Sequence, residues 1–360
     1  MYQKVKNVGN YMIGAGALAQ LYDLLLPRRN AMPDNPIVFF FDHYFEGKGL
    51  LNTVTVEEWD GRFFVNTKEE PTCESVDAMT ERVKNFLDGR KPAALIAFGG
   101  GSTMDTCKCV GNLLTNPGVA ADYQGWDLVK NPAPYKIAVP TLSGTGSETS
   151  RTAVIINKQK GLKLGMNSDH SVFDQVLMDP RLTLSVPRDQ YFYTGVDTFM
   201  HCFEYLDGQF RNAITDAFAE KALELSKQVF LSDDMMSDQN RERLMIASYK
   251  GGLAAGTVGL VHPLSAGLSI VLGIHHGLAN CYALSVLEEF YPKPYKEFTE
   301  MLKKQNIPLP KGICKNLTPE QYDALYEASI VHEKPLINKL GEKYKDILTK
   351  EKVIELFKAM

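Results

Sequence analysis

The chain lacks the features that define several large classes of protein. Its 360 residues include 39 Lys and Arg against 43 Asp and Glu, a formal net charge of −4, without the basic excess that binds nucleic acid or an anionic membrane. No apolar run approaches the roughly 18 residues of a membrane span. The first 30 residues lack the basic start, apolar centre and cleavage site of a secretory leader. We therefore expect a cytoplasmic protein with neither nucleic acid nor a membrane as partner.

Cysteine is also scarce and shows no pattern. The six cysteines form no Cys-x-x-Cys pair, and Cys107 and Cys109 are spaced so that a helix would point them to different faces. Reduced thiols are therefore expected. What the chain has in quantity is apolar residues, 44% of the total, which suffice for two hydrophobic cores at this length.

The pattern of apolar segments predicts two domains. Short apolar runs at 36–42, 93–98 and 135–139 alternate with helical spacing at 74–89 and 103–114, which is typical of a parallel sheet covered by helices. Segments 152–156 and 162–166 flank a polar turn and predict a hairpin. From residue 187 onward helical patterns dominate. The sequence thus predicts an α/β domain over 1–186, with a mostly parallel dinucleotide-binding sheet, and an all-α domain over 187–360.

Two loops at strand ends have the composition of a cofactor site. Gly99, Gly100, Gly101 and Ser102 lie between a predicted strand and a predicted helix, where backbone N–H groups and the helix dipole favour a pyrophosphate. A second loop, 141–148, follows another strand and is rich in small hydroxyl residues. Loops at the carboxyl ends of neighbouring strands meet at one crevice in an open sheet. For the glycine motif taken alone, the less favoured alternative is a structural turn that only separates a strand from a helix.

Asp42 ends an early apolar strand. A carboxylate at that position accepts hydrogen bonds from ribose hydroxyls and repels a 2′-phosphate, which favours NAD over NADP. The alternative is that Asp42 only forms a turn.

A metal site is indicated by residues of the helical half. Asp197 and His201 are four apart, so a helix would place both side chains on one face. His262 and His276 are further apart, and a histidine in an apolar segment is often only a hydrogen-bonded core residue. A carboxylate with three imidazoles suits Fe(II) or Zn(II), and Glu204 is close enough to support one of the ligands.

Together these motifs resemble the iron-containing, or group III, metal-dependent alcohol dehydrogenases over nearly the whole chain. The matching segments are Gly99 to Ser102 with Asp105 and Lys108, Pro140 to Glu148, Asp179-Pro180 with 182–187, Gly195 to His201 with Glu204, Gly259 to His262, and His276 to Asn280. The resemblance implies a mixed N-terminal domain that binds NAD(P), a helical C-terminal domain that supplies the metal, and an active site in the cleft between them.

The resemblance also implies a role for individual residues. It makes Asp197, His201, His262 and His276 the metal ligands. It assigns cofactor contact to Gly99, Gly100, Gly101, Ser102, Thr141, Ser143 and Lys163, with Asp42 at the ribose.

The chain departs from the family pattern at two positions. Many members have another histidine four residues after the third ligand, where this chain has Ala266. Many also have proline before the last ligand, where this chain has His275. Our hypothesis is that His276 binds the metal while His275 lines the cleft and carries a proton, with the reverse order left open. Asp105, in the glycine motif, is a second candidate catalytic residue.

The function implied is hydride transfer between an alcohol and NAD, assisted by a divalent metal. Arg151 is a candidate for binding an acidic group of the substrate, the alternative being a surface ion pair. Overall the sequence most resembles the branch that oxidises the C8 hydroxyl of 3-deoxy-D-manno-octulosonate for later amination in lipopolysaccharide biosynthesis. A dehydrogenase of a simple primary alcohol or polyol, a dehydroquinate synthase-like lyase and a non-catalytic nucleotide- and metal-binding protein are the alternatives. Family members are commonly homodimers or larger.

Overall fold

The computed structural model describes residues 6–360, so the first five residues of the segment judged to lack a leader lie outside it. The chain forms two compact units. One contains residues up to Leu142 together with Ser147–Lys160 and Leu164–Ser185, and the other contains Ser143–Gly146, Gly161–Lys163 and Val186–Met360. The chain passes finally from one unit to the other between Ser185 and Val186. The functional roles given to 1–186 and 187–360 stay predictions.

The first unit is built around a six-stranded sheet with strand order β1-β9-β6-β4-β2-β3. Every registered pair in it is parallel, which confirms the predicted fold class. The central strands read as continuous apolar runs because both of their faces are buried. The strands of this sheet are β1 (Asn10–Ile13), β2 (Ile37–Asp42), β3 (Gly61–Val65), β4 (Ala94–Gly99), β6 (Lys136–Pro140) and β9 (Gln175–Met178).

Three longer helices accompany this sheet, α1 (Leu21–Ala31), α2 (Cys73–Leu87) and α3 (Gly101–Leu113). Helix α2 begins at a capping box in which Thr72 and Ser75 satisfy each other's backbone N–H groups, and such boxes define where a helix starts. Helix α3 begins directly after β4, and all of its residues from Thr103 to Leu113 except Asp105 are buried. The end of β4 and the start of α3 are therefore held together as one rigid turn.

A second, three-stranded sheet has the order β5-β8-β7. Its strands are β5 (Gly125–Trp126), β7 (Thr152–Asn157) and β8 (Leu162–Asn167). The last two occupy the predicted hairpin segments and are neighbours in the sheet. Strands β1, β3, β5 and β9 were not predicted, and three of them, β1, β5 and β9, have only two to four residues, too few to show a period.

From Val186 onward the described chain contains helices and no strand. The ten helices are α4 (Arg188–Leu206), α5 (Ala213–Phe230), α6 (Asp238–Gly251), α7 (Val261–Leu272), α8 (His276–Leu284), α9 (Pro292–Gln305), α10 (Pro319–Ile330), α11 (Glu333–Leu340), α12 (Tyr344–Ile347) and α13 (Lys350–Ala359). None of the described helices meets the length and apolarity needed to cross a bilayer.

Helix α4 runs through the centre of this second unit, and every residue from Thr194 to Tyr205 on it is buried. Its aromatic residues from Tyr191 to Phe203 pack into one hydrophobic cluster with residues of α7, α8 and α9. Phe203, for example, packs edge-on against Tyr291, with ring centroids 5.0 Å apart. Polar residues on α4 are thus enclosed by apolar packing, so each of them needs a specific partner.

Candidate active site

The four predicted metal ligands come together in the helical unit. One nitrogen or oxygen atom from each of Asp197, His201, His262 and His276 lies within 4.8 Å of the others. Asp197 and His201 lie one turn apart on α4, His262 lies in the first turn of α7, and His276 is the first residue of α8. Three separate helices therefore build the cluster, which no sequence spacing could establish.

Asp197 lies at the centre of this cluster and is completely buried. Its Oδ1 is 3.2 Å from Nε2 of His262 and 3.5 Å from Nε2 of His201, and its Oδ2 is 3.5 Å from Nε2 of His276. The rings of His201 and His262 are stacked, with centroids 4.6 Å apart. Oδ2 of Asp197 has no hydrogen-bond partner among the described residues, so a buried carboxylate oxygen is left facing a group of imidazoles.

Glu204, one turn further along α4, orients His262. Its Oε2 lies 2.5 Å from Nδ1 of His262, while its Oε1 accepts hydrogen bonds from the Val261 N–H at 2.7 Å and the Tyr291 hydroxyl at 3.1 Å. We assign the proton to Nδ1 because Glu204 offers only acceptor atoms there. Nε2 then faces Oδ1 of Asp197 at 3.2 Å, and once its proton is displaced it offers a lone pair to a cation shared with that carboxylate.

The pKa values reflect the same crowding of charge. Burial would raise the pKa of Asp197, but His201, His276 and His262 outweigh that effect and hold it below its usual value. Burial lowers the pKa of His201 to about 4. For His262 burial acts downward too, but hydrogen bonds to Asp197 and Glu204 prevail and raise its pKa to about 9. Asp197 is thus ionised at neutral pH, and a cation bound by His262 would replace the proton that this raised pKa keeps on the ring.

The donor set therefore fits a divalent metal on the geometry of the chain itself. One carboxylate and three imidazole nitrogens are the ligands that Fe(II) and Zn(II) accept. His276 belongs to the cluster, whereas His275 is exposed and immediately precedes α8. The assignments of His276 as a ligand and His275 as a proton carrier stay predictions.

Asn280 is a residue of this site for which the sequence suggested no role. It lies one turn after His276 on α8, and its Nδ2 donates to Oδ1 of Asp197 at 2.8 Å. The same nitrogen is 3.2 Å from Nε2 of His276. The i, i+4 spacing of His276 and Asn280 was the available signal, but an asparagine is informative only once Asp197 is known to face it.

The glycine motif forms the turn between β4 and α3. Gly99 ends β4, Gly100 precedes the helix, and α3 starts at Gly101. A Cβ on Gly99 would lie 2.5 Å from Oγ1 of Thr103, so only glycine allows this tight turn. No side chain caps the helix start, which leaves the first turn of α3, including Ser102, suited to an anion. The roles of these residues and of Thr141, whose N–H donates to the Gly99 carbonyl at 3.0 Å, stay predictions.

The segment Ser143–Gly146 belongs to the helical unit and is held there by hydrogen bonds. The N–H groups of Gly144 and Gly146 donate to Oγ of Ser248 at 2.9 and 3.2 Å, and Oγ1 of Thr198 donates to the Gly144 carbonyl at 2.7 Å. Ser143 is buried, and its hydroxyl has no partner among the described residues. A hydroxyl in that state suits the predicted cofactor contact, since burying it unpaired is costly.

Lys163 also groups with the helical unit. Its side chain is largely buried, and its ammonium lies 3.5 Å from Oγ of Ser269 on α7. Ser269 is seven residues after His262, so both point to one face of that helix. The predicted cofactor role of Lys163 stays a prediction.

Two predicted carboxylates have structural partners in the first unit. Asp42 ends β2 and accepts hydrogen bonds from the Tyr44 N–H at 2.9 Å and the Thr67 hydroxyl at 2.8 Å, which is the turn-forming alternative. Asp105 accepts from the Ser147 hydroxyl at 2.6 Å and the Val154 N–H at 2.9 Å. These contacts tie α3 to β7, and the catalytic role of Asp105 stays a prediction.

Arg151 is paired with carboxylates of the protein. Its guanidinium contacts Asp127, and its Nε lies 3.2 Å from Oδ1 of Asp169. The structure thus shows the ion-pair alternative, and binding of an acidic substrate by Arg151 would require these pairs to open. From the sequence neither carboxylate could be identified as a partner, because they lie 24 and 18 residues away.

Two family profiles match the chain. The iron-containing alcohol dehydrogenase profile covers residues 9–180, and the C-terminal profile of the Fe-containing alcohol dehydrogenase family covers 191–327.

Curated relatives match part of the chain. Sulfoacetaldehyde reductase of Bilophila wadsworthia is 33% identical over 69% of this chain and 65% of its own length. Alcohol dehydrogenase 4 of Schizosaccharomyces pombe is 30% identical over 69% of this chain and 58% of its own. The NAD-dependent methanol dehydrogenase of Bacillus methanolicus is 34% identical over 52% of this chain and 50% of its own. The chain thus spans between half and two thirds of the length of these relatives.

Solved structures match nearly the whole chain. Sulfoacetaldehyde reductase from Bifidobacterium kashiwanohense in complex with NAD+ has a TM-score of 0.78 at 22% identity, covering 99% of this chain and 98% of the other. A 1,3-propanediol oxidoreductase has a TM-score of 0.80 at 19% identity, covering 99% of each chain. At these identities the likeness establishes the fold.

Proposed function

The chain belongs to the iron-containing alcohol dehydrogenase family, and from this premise we propose that it transfers hydride between an alcohol and NAD. The observation that carries the proposal is the group of Asp197, His201, His262 and His276, whose ligand atoms all lie within 4.8 Å of one another around the buried Asp197 carboxylate. Relatives named as a methanol dehydrogenase and a sulfoacetaldehyde reductase support alcohol and aldehyde chemistry.

The four clustered residues would hold Fe(II) or Zn(II), and a metal bound there supplies a Lewis acid that lowers the pKa of an alcohol hydroxyl. Glu204 contributes by keeping the proton on Nδ1 of His262, so that Nε2 stays available as a ligand. Asn280 contributes by restraining the Asp197 carboxylate. Burial of Asp197, Glu204 and Asn280 keeps water away from these polar groups and strengthens their electrostatic interactions.

For the cofactor we propose NAD, with its pyrophosphate at the start of α3. The tight turn at Gly99 and the unoccupied helix cap at Gly100 support this placement. Ser143, with its unpaired buried hydroxyl, supplies a further hydrogen bond, and Thr141 and Lys163 complete the contacts. Asp42 would bind the ribose hydroxyls and disfavour NADP, although two hydrogen bonds already engage its carboxylate.

For the substrate we propose the C8 primary hydroxyl of 3-deoxy-D-manno-octulosonate, which would become an aldehyde ready for amination. This finer proposal rests on the resemblance of the whole sequence to that branch. A simple primary alcohol or polyol is the second candidate, favoured by the ion pairs that occupy Arg151. We further propose a homodimer or larger homo-oligomer in the cytoplasm, a reducing setting that suits six unpaired, buried cysteines.

The test is elemental analysis of the purified protein combined with an assay of NADH absorbance over octulosonate, ethanol, propan-1-ol and propanediols. We expect Fe or Zn near one equivalent, and NADH formation that a chelator abolishes and that readdition of metal restores. Bound metal and nucleotide without NADH formation from any alcohol would indicate the non-catalytic alternative. Turnover of a phosphorylated sugar acid without net NADH would indicate the lyase.

Turnover of octulosonate at a higher kcat/KM than that of the simple alcohols would support the finer proposal. Rapid turnover of simple alcohols with none of octulosonate would defeat it and leave the general proposal intact.

A further inference from the structure

Helix α7 carries the proposed metal ligand His262 in its first turn, yet the residue before the helix supplies no capping side chain. The first N–H groups of a helix have no partner within it and need acceptors from elsewhere. Here the Leu260 N–H donates to the Tyr291 hydroxyl at 3.0 Å, and the Val261 N–H donates to Oε1 of Glu204 at 2.7 Å. Side chains from α4 and from the residue before α9 therefore cap α7.

The Tyr291 hydroxyl also contacts the Glu204 carboxylate directly. It donates to Oε1 of Glu204 at 3.1 Å while it accepts from the Leu260 N–H. Burial, and after it the charge of Glu204, raise the pKa of Tyr291 well above its usual value, so the hydroxyl keeps its proton and remains a donor at neutral pH. Because two donors engage Oε1, the other oxygen, Oε2, is directed at Nδ1 of His262, 2.5 Å away.

Gly259 leaves the space that this arrangement requires. A Cβ on Gly259 would lie 2.2 Å from the Tyr291 hydroxyl and 2.9 Å from Oε1 of Glu204. The glycine therefore admits both polar groups to the start of α7. Because Tyr291 and Glu204 are both buried, solvent does not compete for their hydrogen bonds, and the orientation of the carboxylate depends on these protein contacts.

We propose that Tyr291 is a positioning residue of the metal site, whose hydroxyl holds the Glu204 carboxylate in the orientation that both caps α7 and orients the ring of His262. Without the hydroxyl the Leu260 N–H would be buried and unpaired, and the carboxylate would turn towards it at the expense of His262. The inference rests on the proposed function, which makes His262 a ligand, and it adds a residue that acts only through another side chain.

The test measures the affinity of the purified protein for Zn(II) by competition with a chromogenic chelator. Tyr291→Phe keeps the ring and removes the hydroxyl, and it should weaken binding about 10-fold, the lower end of the range for partners of metal-bound histidines. Tyr205→Phe is the matched control. This buried tyrosine of α4 also joins two backbone groups, since its hydroxyl accepts from the Asn212 N–H at 2.8 Å and donates to the Asn212 carbonyl at 3.2 Å. Its loss should leave the metal affinity unaltered.

A double-mutant cycle shows whether Tyr291 acts through Glu204. In a Glu204→Gln background, Tyr291→Phe should cause little further loss of affinity, because residues that act as one unit have non-additive effects. Gly259→Ala, which forces the same two side chains away from the start of α7, should also weaken Zn(II) binding. Gly256→Ala, whose added Cβ has no atom within 4 Å, should not. The glycine pair decides the question even if Tyr291→Phe folds poorly.

Wild-type affinity in Tyr291→Phe, an equal loss in Tyr205→Phe, or an undiminished loss in the Glu204→Gln background would overturn the inference. None of these measurements depends on turnover. If the affinity for Zn(II) depends on Tyr291 as expected but no alcohol is oxidised, the proposed function fails while this inference stands. If the wild type forms NADH and its metal affinity is independent of Tyr291, the inference fails while the proposed function stands.

Discussion

The Glu204 carboxylate lies 2.5 Å from Nδ1 of His262, and this contact decides which ring nitrogen can face the metal. Histidine ligands commonly donate their second nitrogen to a carboxylate, and losing that partner reduces metal affinity about 10–100-fold. In this chain the same carboxylate also holds the Val261 N–H and the Tyr291 hydroxyl. Glu204 therefore links the start of α7 to both α4 and the segment before α9.

Glu204→Gln should weaken metal binding about 10–100-fold, because the amide keeps the shape of the side chain but loses its charge. Competition with a chromogenic chelator would measure the change. Glu242→Gln, at an exposed position on α6, is the matched control and should leave the affinity unaltered. Unchanged affinity in Glu204→Gln would show that this carboxylate does not support the metal.

His276→Ala should lose the metal, whereas His275→Ala should retain it. The reason is that Nε2 of His276 lies 3.5 Å from Oδ2 of Asp197, while His275 is exposed and outside the cluster. Metal content after exhaustive dialysis, measured by mass spectrometry, distinguishes the two. Retention of metal in His276→Ala with loss in His275→Ala would reverse the order of these residues.

Gly144→Ala should destabilise the protein by about 2–4 kcal/mol. A Cβ at this position would lie 1.7 Å from the Thr194 carbonyl, in a backbone conformation with φ +148°. Denaturant unfolding would measure the loss. Gly256→Ala is the control, since no atom lies within 4 Å of its added Cβ. Equal stability of both variants would mean that the loop moves away from α4 without cost.

Asp179→Asn should cost about 1–3 kcal/mol of unfolding free energy. The carboxylate accepts from the N–H groups of Gly16, Leu18 and Arg181. Burial would raise its pKa, but these hydrogen bonds outweigh burial and keep the pKa below its usual value. A depressed pKa means that the stabilisation is present above the unfolded pKa of about 4 and is lost as pH falls through the folded pKa.

The stability difference between wild type and Asp179→Asn should therefore narrow below pH 4, which unfolding curves from pH 3 to 7 would detect. A constant difference over that range would show that the charge of Asp179 contributes nothing.

The thiols of the native protein should react slowly with Ellman's reagent at pH 8. All six cysteines are buried and free, and burial raises the pKa of Cys107 to about 12, which suppresses the reactive thiolate. Unfolding in guanidinium chloride should expose all six to rapid reaction. A fast-reacting thiol in the native state, identified by peptide mapping, would contradict this burial.

Much of the architecture could be predicted from the sequence because its signals are local. Strand β4 is an apolar run that ends in glycine, and α3 follows without a break, so segment 93–114 was assigned correctly within two residues at each end. Short strands such as β1 and β9 were not predicted, because four residues are too few to show the two-residue alternation of a strand. Their identity depends on pairing with each other and with β6.

The residues of the candidate site also differ in whether local sequence could reveal their roles. The i, i+4 spacing of Asp197 and His201 was readable, because one helix determines it. The ion pairs of Arg151 could not be predicted, because its partners Asp127 and Asp169 come from other segments. Likewise the roles of Asn280 and Tyr291 follow only from the residues that they contact, Asp197 and Glu204.

By itself the sequence determined the central apolar strands, the glycine turn, the helical second half and the spacing of Asp197 and His201 along one helix, since each depends on interactions within one segment. Only the tertiary structure decided that His262 and His276 join them and that Glu204 holds the ring of His262. These relationships join residues tens of positions apart, and the packing of whole helices, rather than local spacing, determines which of them meet.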